Sequence, residues 1–198
     1  MATESETVTG DVTSMDWTPQ GGGDNYVEVD NLLSADDDST YISVESFGAV
    51  DLYEVGNPTL EGGVCNAIRV GIRGYRDGGG AITVAIFDGA VQIGGDKTVT
   101  QNDGSYGEQW TSSWTGLSLT AANLTDCRVE ITDPNDSSPQ YISGIEVEFT
   151  YTVPGVFAGL NIGDDFKDVT EVKINIGDDW KEVTEIKINI GDDWKDMA

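Results

Sequence analysis

The 198-residue chain contains no histidine, and only 10 lysine and arginine residues stand against 36 aspartate and glutamate residues. Histidine is the commonest general base and the commonest metal ligand of proteins, so its absence removes the most frequent route to acid–base catalysis. The formal net charge of −26 repels nucleic acids and anionic membrane surfaces. We therefore expect neither nucleic acid nor membrane as a partner.

Long apolar runs are absent too. No stretch approaches the roughly 18 apolar residues of a membrane span, and the acidic segment Met1 to Glu6 lacks the apolar region of a secretory signal. The chain also has no Gly-x-Ser-x-Gly nucleophile motif, and no catalytic residue is predicted. Hydrophobic residues still make up 38% of the chain and fall in alternating runs, which predicts a folded protein rather than a disordered one.

Only two cysteines are present, Cys65 and Cys127. In its alternating run Cys127 shares the face of Val129 and Ile131, whereas Cys65 lies opposite Ile68 and Val70. Opposite faces argue against a disulfide. We expect two free thiols, one of them in the core.

Short alternating segments follow one another along most of the chain. Ile68–Arg73 places three aliphatic residues on one face and both arginines on the other, Ile145–Tyr151 alternates most cleanly, and Tyr26–Val29 also alternates. Glycine, aspartate and asparagine turns separate about eight such strands, and no segment keeps a helical period for three turns. The pattern predicts an all-β fold, an antiparallel β-sandwich of jelly-roll type.

The C-terminal region repeats with a period of 14 residues. Asn161–Lys167, Asn175–Lys181 and Asn189–Lys195 share the form Asn-Ile-Gly-Asp-Asp-aromatic-Lys. Each unit predicts a short β-hairpin with the aromatic residue just after the turn, and such repeats are typical of assembly elements. Five of the ten basic residues lie here among acids, which suits cross-strand ion pairs. The predicted organisation is an extended, poorly packed arm (1–23), a jelly-roll sandwich (24–153), a linker (154–160) and hairpin repeats (161–198).

The chain resembles, in pattern, the β-sandwich structural proteins of tailed bacteriophages and prophages. The resemblance is carried by Trp17–Pro19, Asp36–Ser43, Ile68–Val70 with Gly78–Gly80, Asp126–Ile131 and the C-terminal repeats. It implies a non-enzymatic virion protein on the outside of a capsid or in a tail or fibre, often a trimer, that binds other virion proteins. Localisation on the particle exterior, after synthesis in the host cytoplasm without a signal peptide, follows from this resemblance.

Three hypotheses for the function remain open at this point. An exterior capsid decoration protein is favoured over a tail or fibre component. A glycan-binding module that attaches the particle to a host surface is the second class, and a cellular adhesion or filament subunit is the third. In the first class the N-terminal arm or the repeat tail adds strands to a neighbouring copy, a trimer being favoured. The repeats would do so through apolar and aromatic positions: Ile162, Phe166, Ile176, Trp180, Ile190 and Trp194.

Two candidate binding sites can be named from the sequence. Trp110 and Trp114, with Ser112, lie on one face of a predicted strand; exposed, they would stack on sugar rings of a host glycan, and buried, they are core residues. No cofactor is expected, but the Asp36, Asp37 and Asp38 run can supply oxygen ligands for Ca²⁺, as can Asp133 with Asn135 and Asp136. The alternative for both acidic groups is turn and capping chemistry.

Overall fold

The computed structural model describes residues 1–13, 16–30, 33, 39–134 and 138–153, together with the backbone of 157–162, 165–169, 173–176, 179–182, 186–190 and 193–197. The chain divides into two compact units, residues 1–153 and residues 154–198. No α-helix occurs within these described ranges. Three short 3₁₀ turns lie in the first unit, at Asn25–Glu28, Leu60–Gly62 and Ala121–Leu124.

The first unit is built from twelve described strands joined by turns rich in glycine and aspartate. In chain order they are β1 (Ala2–Thr13), β2 (Thr18–Pro19), β3 (Ile42–Val44), β4 (Val50–Val55), β5 (Val64–Arg76), β6 (Gly80–Asp88), β7 (Val91–Gln92), β8 (Lys97–Asp103), β9 (Gly107–Trp110), β10 (Trp114–Thr120), β11 (Cys127–Thr132) and β12 (Gln140–Thr152).

These strands form two layers. In the first sheet β12 pairs with β5 along most of its length and with β1 and β3 on its other side, while β9 and β10 extend β5. In the second sheet β1, β4, β11 and β6 follow in that order, and β7 and β8 pair with β6. The pairings are antiparallel except for a two-residue parallel contact between β5 and β8. The predicted antiparallel sandwich is confirmed.

The predicted N-terminal arm is wrong for residues 2–13, because they form β1, a strand that lies between β12 and β4. Ala2 to Thr7 pair with β12 in the first sheet, and from Val8 onward the strand pairs with β4 in the second. A register shift between Val8 and Gly10 marks the crossing. The segment lacks a strong apolar alternation since a strand shared by two sheets exposes different faces along its length.

The core lies between the two sheets and follows the alternation read from the sequence. Ile68, Val70 and Ile72 of β5 are buried, as are Ile145, Val147, Phe149 and Tyr151 of β12. From the second sheet, β6 and β11 contribute buried aliphatic residues to the same cluster: Ile82, Val84, Ile86, Val129 and Ile131. Burial of these side chains supplies the main favourable free energy of the fold.

Two local predictions fail for identifiable reasons. Both thiols are free, as expected, but Cys65 is buried in the core together with Cys127. Ala67 pairs with Thr150 and Cys65 with Tyr151, so Asn66 is an extra residue that inverts the alternation. The run Tyr26–Val29 was predicted as a strand, but its first three residues lie in the 3₁₀ turn Asn25–Glu28, and Val29 follows that turn. The Asn25 and Tyr26 amides of the turn donate hydrogen bonds to the Asp11 carboxylate.

The second unit consists of three hairpins, each a separate two-stranded sheet. In every hairpin the same positions pair: Asn161 with Phe166, Asn175 with Trp180 and Asn189 with Trp194. The first strand begins at Phe157, so 157–160 belong to a hairpin rather than to the predicted linker. The strands are β13 (Phe157–Ile162), β14 (Asp165–Val169), β15 (Lys173–Ile176), β16 (Asp179–Glu182), β17 (Ile186–Ile190) and β18 (Asp193–Met197).

Candidate functional site

Four tyrosines lie together on the outer face of the first sheet. Tyr75 of β5 and Tyr141 of β12 are register partners, and the residues that follow and precede them, Arg76 and Gln140, are buried on the inner face. Since successive side chains of a strand alternate between faces, the two rings must point outward. Each ring is half-buried and presents part of its surface to solvent.

The four rings form a continuous series, which we call the tyrosine row: Tyr41, Tyr141, Tyr75 and Tyr106. Tyr141 stacks on Tyr75 with ring centroids 4.7 Å apart and planes 17° apart. Tyr41 meets Tyr141 edge-on at 5.5 Å, and Tyr106 meets Tyr75 edge-on at 4.8 Å. Offset stacks and T-shaped pairs are the favoured arrangements of aromatic rings, so each tyrosine holds its neighbour in place.

The backbone around the row is fitted closely to it. Tyr41 immediately precedes β3, and its carbonyl accepts a hydrogen bond from the Gln20 amide at 2.9 Å. Gly74 precedes Tyr75, and a Cβ atom there would collide with the Tyr141 carbonyl, so β5 and β12 approach at a distance that only glycine permits. The row is therefore placed by the strands and not by its ring contacts alone.

A shallow cleft of about 310 Å³ adjoins Tyr141, the second ring of the row. It combines hydroxyl groups, one carboxylate and apolar surface, and its lining residues are Thr18, Ser43, Val44, Glu45, Pro139 and Tyr141. Hydroxyl and carboxylate groups beside an aromatic ring can bind a ligand that has both apolar C–H surfaces and hydroxyl groups.

The electrostatic surroundings of the row are acidic. Burial raises the pKa of Tyr141 and of Tyr75, and the negative charge of Asp77 raises both pKa values further. Glu45 adds to the rise in the pKa of Tyr141. The phenol groups of Tyr75 and Tyr141, like those of free tyrosine, are protonated at neutral pH and can donate hydrogen bonds. Asp77 and Glu45 disfavour an anionic ligand at this surface.

The tryptophans singled out in the sequence do not form one platform. Trp114 starts β10, is only 5% exposed, and donates a hydrogen bond from Nε1 to the Gly95 carbonyl at 2.8 Å. Trp110 ends β9 on the outer face of the first sheet, where the Arg69 guanidinium carbon lies 4.3 Å from its ring centroid. Residues 111–113 interrupt the predicted strand. The core alternative therefore holds for Trp114, and Trp110 is covered by Arg69.

Most of the predicted Ca²⁺ ligands lie outside the residues that the structure describes. Asp36, Asp37 and Asp38 lie outside them, as do Asn135 and Asp136. Asp133 is fully buried and pairs with Arg76 at 2.8 Å, which gives it a role as an ion-pair partner. Across the part of the chain that the structure describes, no group of three or more acidic or cysteine residues is arranged to hold a metal ion.

The predicted assembly residues are located through their backbone. Ile162, Ile176 and Ile190 each end the first strand of a hairpin, and Phe166, Trp180 and Trp194 each stand second in the returning strand. Their equivalent register positions agree with the repeat. Their role in assembly stays a prediction.

Sequence reasoning missed the tyrosine row. The four residues are scattered between positions 41 and 141, and no local motif connects them. The available signal was the outward face of β5, where Tyr75 alternates with buried residues, but its partner Tyr141 can be recognised only once the register of β5 and β12 is known.

No helix of the described residues is long and apolar enough to cross a membrane.

No protein-family model matches the chain, and no curated protein matches it. Among the solved structures that are similar to it are two domains. One is the CBM36-1 domain of a multidomain xylanase from the hindgut metagenome of Trinervitermes trinervoides, with a TM-score of 0.39 and 10% identity over 75% of this chain and 97% of that one. The other is CBM35 from Paenibacillus barcinonensis, with a TM-score of 0.41 and 15% identity over 77% of this chain and 98% of that one.

Proposed function

We propose that residues 1–153 form a non-catalytic carbohydrate-binding module whose ligand lies across the tyrosine row. The observation that carries the proposal is the row itself: four half-buried rings in mutual contact on the open face of a sheet. Aromatic rings offer flat apolar surface for the C–H faces of sugars, and tyrosine adds a hydroxyl for hydrogen bonding. A linear series of rings favours an extended glycan chain over a single sugar.

The surroundings of the row narrow the class of glycan. Thr18, Ser43 and Glu45 line the adjoining cleft and can bind sugar hydroxyl groups. Asp77 and Glu45 make the site negative, and the chain carries a formal charge of −26. Like charges repel, so the ligand is a neutral glycan rather than a sulfated or uronic acid polymer.

Binding without cleavage is supported by the exposure of the nearby carboxylates. Glycoside hydrolysis uses two carboxyl groups, one of them a general acid that keeps its proton because it is buried. Glu45 and Asp77, which lie near Tyr141, are both exposed. These residues suit hydrogen bonding to a ligand better than proton transfer.

The proposal is tested by titrating neutral oligosaccharides of cellulose, xylan, mannan and chitin, with polygalacturonate as the anionic comparison. Tyr106→Ala and Tyr41→Ala remove the two outer rings and should each weaken binding about tenfold, equivalent to about 1.4 kcal/mol. Val91→Ser is the matched control, because Val91 is a 71% exposed apolar residue on the second sheet. Failure of the wild-type chain to bind any of these glycans, or unchanged binding by both tyrosine variants, would refute the proposal.

We further infer a structural role on the exterior of a phage-type virion, in which residues 157–198 assemble copies of the chain. The supporting observation is that the tail forms three hairpins in equivalent register, each a two-stranded sheet by itself. An isolated hairpin is marginally stable in water, and an unpaired strand edge readily pairs with another chain. Pairing between copies would stabilise all three hairpins together, and a trimer is the favoured assembly.

Light scattering on the full chain and on residues 1–153 tests this second role. We expect a trimer that becomes a monomer on truncation; a monomer in both cases would contradict assembly through the tail. The location on a particle needs its own test, which is antibody labelling of purified particles from the source that encodes the chain. Labelled capsids support a decoration protein, labelled tails support a tail or fibre component, and absence of label contradicts the virion role.

A further inference from the structure

A buried ion pair lies directly behind the tyrosine row. Arg76 Nη1 is 2.8 Å from Asp133 Oδ1, and the two side chains are 2% and 0% exposed. The same Nη1 donates a hydrogen bond to Gln140 Oε1 at 3.3 Å, and Gln140 is also fully buried. We call these three residues the buried polar cluster.

The cluster and the tyrosine row occupy opposite faces of the same two strand positions. Tyr75 pairs with Tyr141 in register, and the next pair along is Arg76 with Gln140. Because side chains alternate, the contact between Arg76 and Gln140 on the inside fixes the relative position of β5 and β12 where the two rings stack outside.

Asp133 extends the cluster to the walls of the cleft. Its carbonyl accepts a hydrogen bond from the Gly48 amide at 2.8 Å, and its amide donates to the Ala49 carbonyl at 3.0 Å. This connection holds the turn that follows Glu45, a residue that lines the cleft. Across the cleft, the Asp77 amide donates to the Pro139 carbonyl at 3.4 Å, next to Gln140.

Stability alone does not account for such a cluster. Burying a charged pair costs desolvation free energy, and well-packed apolar residues of similar volume often stabilise a protein as much or more. Arg76 Nη2 and Gln140 Nε2 are buried without a hydrogen-bond partner among the described residues, which adds to the cost. What a directional ion pair provides is one defined geometry of the strands it joins.

We propose that Arg76, Asp133 and Gln140 are positioning residues, which set the stacking distance of Tyr75 and Tyr141 and the width of the adjoining cleft. The effect of this cluster on ligand binding rests on the proposed carbohydrate-binding function. Its effect on the geometry of the two rings does not, since that geometry can be measured without any ligand.

The test replaces the ion pair by apolar side chains of similar size. Arg76→Met alone and Asp133→Leu alone each leave a buried charge without its partner and should lower the melting temperature markedly. The double variant Arg76→Met, Asp133→Leu removes both charges and should regain most of the melting temperature. In the double variant we expect the nuclear Overhauser contacts between the rings of Tyr75 and Tyr141 to weaken and affinity for the neutral glycan to fall at least tenfold.

Two further variants keep the test decisive. Gln140→Met removes one hydrogen bond while keeping the ion pair, and it serves as the test if the double variant does not fold. It should weaken the ring contacts and the glycan affinity in the same direction but by less. Arg128→Met is the matched control, because Arg128 pairs with Asp126 at 2.8 Å at a partly exposed site in the second sheet. It should leave the ring contacts and the affinity unchanged.

The outcomes separate the two proposals. A folded double variant with wild-type ring contacts and wild-type affinity would overturn the positioning role; if it does not fold, unchanged contacts and affinity in Gln140→Met would do the same. If the wild-type chain binds no glycan, the proposed function fails, while the ring contacts of the variants still decide whether the cluster positions the row.

Discussion

The two units of the chain are both all-β, yet they differ in how far apart in sequence their paired strands lie. In the sandwich the first strand pairs with the last, and Ala2 lies opposite Tyr151. In the tail the two consecutive strands of each hairpin pair with each other, and Ile176 lies opposite Asp179. Long-range pairing makes the sandwich depend on the whole of residues 1–153, whereas each hairpin depends only on its own repeat.

The two units therefore obtain their stability in different ways. The sandwich buries side chains between two sheets, and the core cluster includes residues of β1, β4, β5, β6, β11 and β12. An isolated two-stranded hairpin is only marginally stable in water, so we expect the tail hairpins to gain stability from association. The sandwich is therefore expected to fold as one cooperative unit, and the tail to become stable through assembly.

The largest expected effect comes from removing the N-terminal strand β1, in contrast to removing the C-terminal tail. Deletion of residues 2–13 removes β1, which pairs with both sheets, and should abolish cooperative folding, since the loss exceeds the usual stability of about 5–15 kcal/mol. Deletion of residues 154–198 should leave the melting temperature of the sandwich unchanged. Thermal melts followed by circular dichroism compare the two, and a cooperative melt of the first variant near the wild-type temperature would restore the arm interpretation.

A single core substitution should show the same contrast at smaller scale. Phe149 is fully buried, and Phe149→Ala should lower the free energy of unfolding by about 3–5 kcal/mol, because it leaves a cavity between the sheets. Ile176→Ala, in the tail, should not change the unfolding of the sandwich. Urea titration of both variants measures this. A comparable loss from both substitutions would mean that the two units unfold together.

A pH titration probes a group that only the sandwich contains. The Asp51 carboxylate is fully buried and accepts hydrogen bonds from the Asp16 and Trp17 amides, from Asn25 Nδ2 and from the Tyr53 hydroxyl. Burial raises the pKa of Asp51 from 3.8 to about 6. The protonated form is thus favoured by folding, so its contribution is present below pH 4 and is lost as the pH rises through about 6.

We expect this loss to reach at most about 3 kcal/mol between pH 4 and pH 7, at about 1.4 kcal/mol for each pKa unit. Burial also raises the pKa of Asp11, Glu6 and Glu130, so the measured quantity is the difference in pH slope between the wild type and Asp51→Asn. Asp30→Asn, at an exposed position, is the control. The chain without its tail should give the same profile, and equal slopes for the wild type and Asp51→Asn would contradict the assignment.

The contrast between the units also explains what the sequence could predict. The tail was predicted correctly as hairpins because its pairing is local and its repeat marks equivalent positions three times. The start of the tail was placed too late. Units of 14 residues fit 157–170, 171–184 and 185–198, but the first unit has Phe157 where the other two have glutamate and Leu160 where they have isoleucine. The first unit of the repeat has diverged most at its beginning.

In the sandwich, alternation predicted the faces of β5 and β12 but not their partners. The inward positions of β5 from Ile68 to Ile72 were correct, and Cys65 was wrong because Asn66 interrupts the register, which no local pattern reveals. β1 was missed because it changes sheets within one strand. The tyrosine row was missed because its members meet only through long-range strand pairing.

The smallest expected effect concerns the charges of the tail. Lys173 stands opposite Glu182 in register, and Lys187 stands opposite Asp196. Directly opposite charges of unlike sign stabilise an antiparallel pair by about 0.2–1 kcal/mol, and like charges destabilise it. Lys173→Glu should therefore raise the dissociation constant of the assembled chain a few-fold, and Glu182→Lys should do the same. The double exchange Lys173→Glu, Glu182→Lys should restore wild-type assembly, because it returns unlike charges to the same pair of positions.

If each substitution weakens assembly and the double exchange weakens it further, the two residues act independently and the register pair does not contribute. The sandwich, measured by the melting temperature of the same variants, should not change.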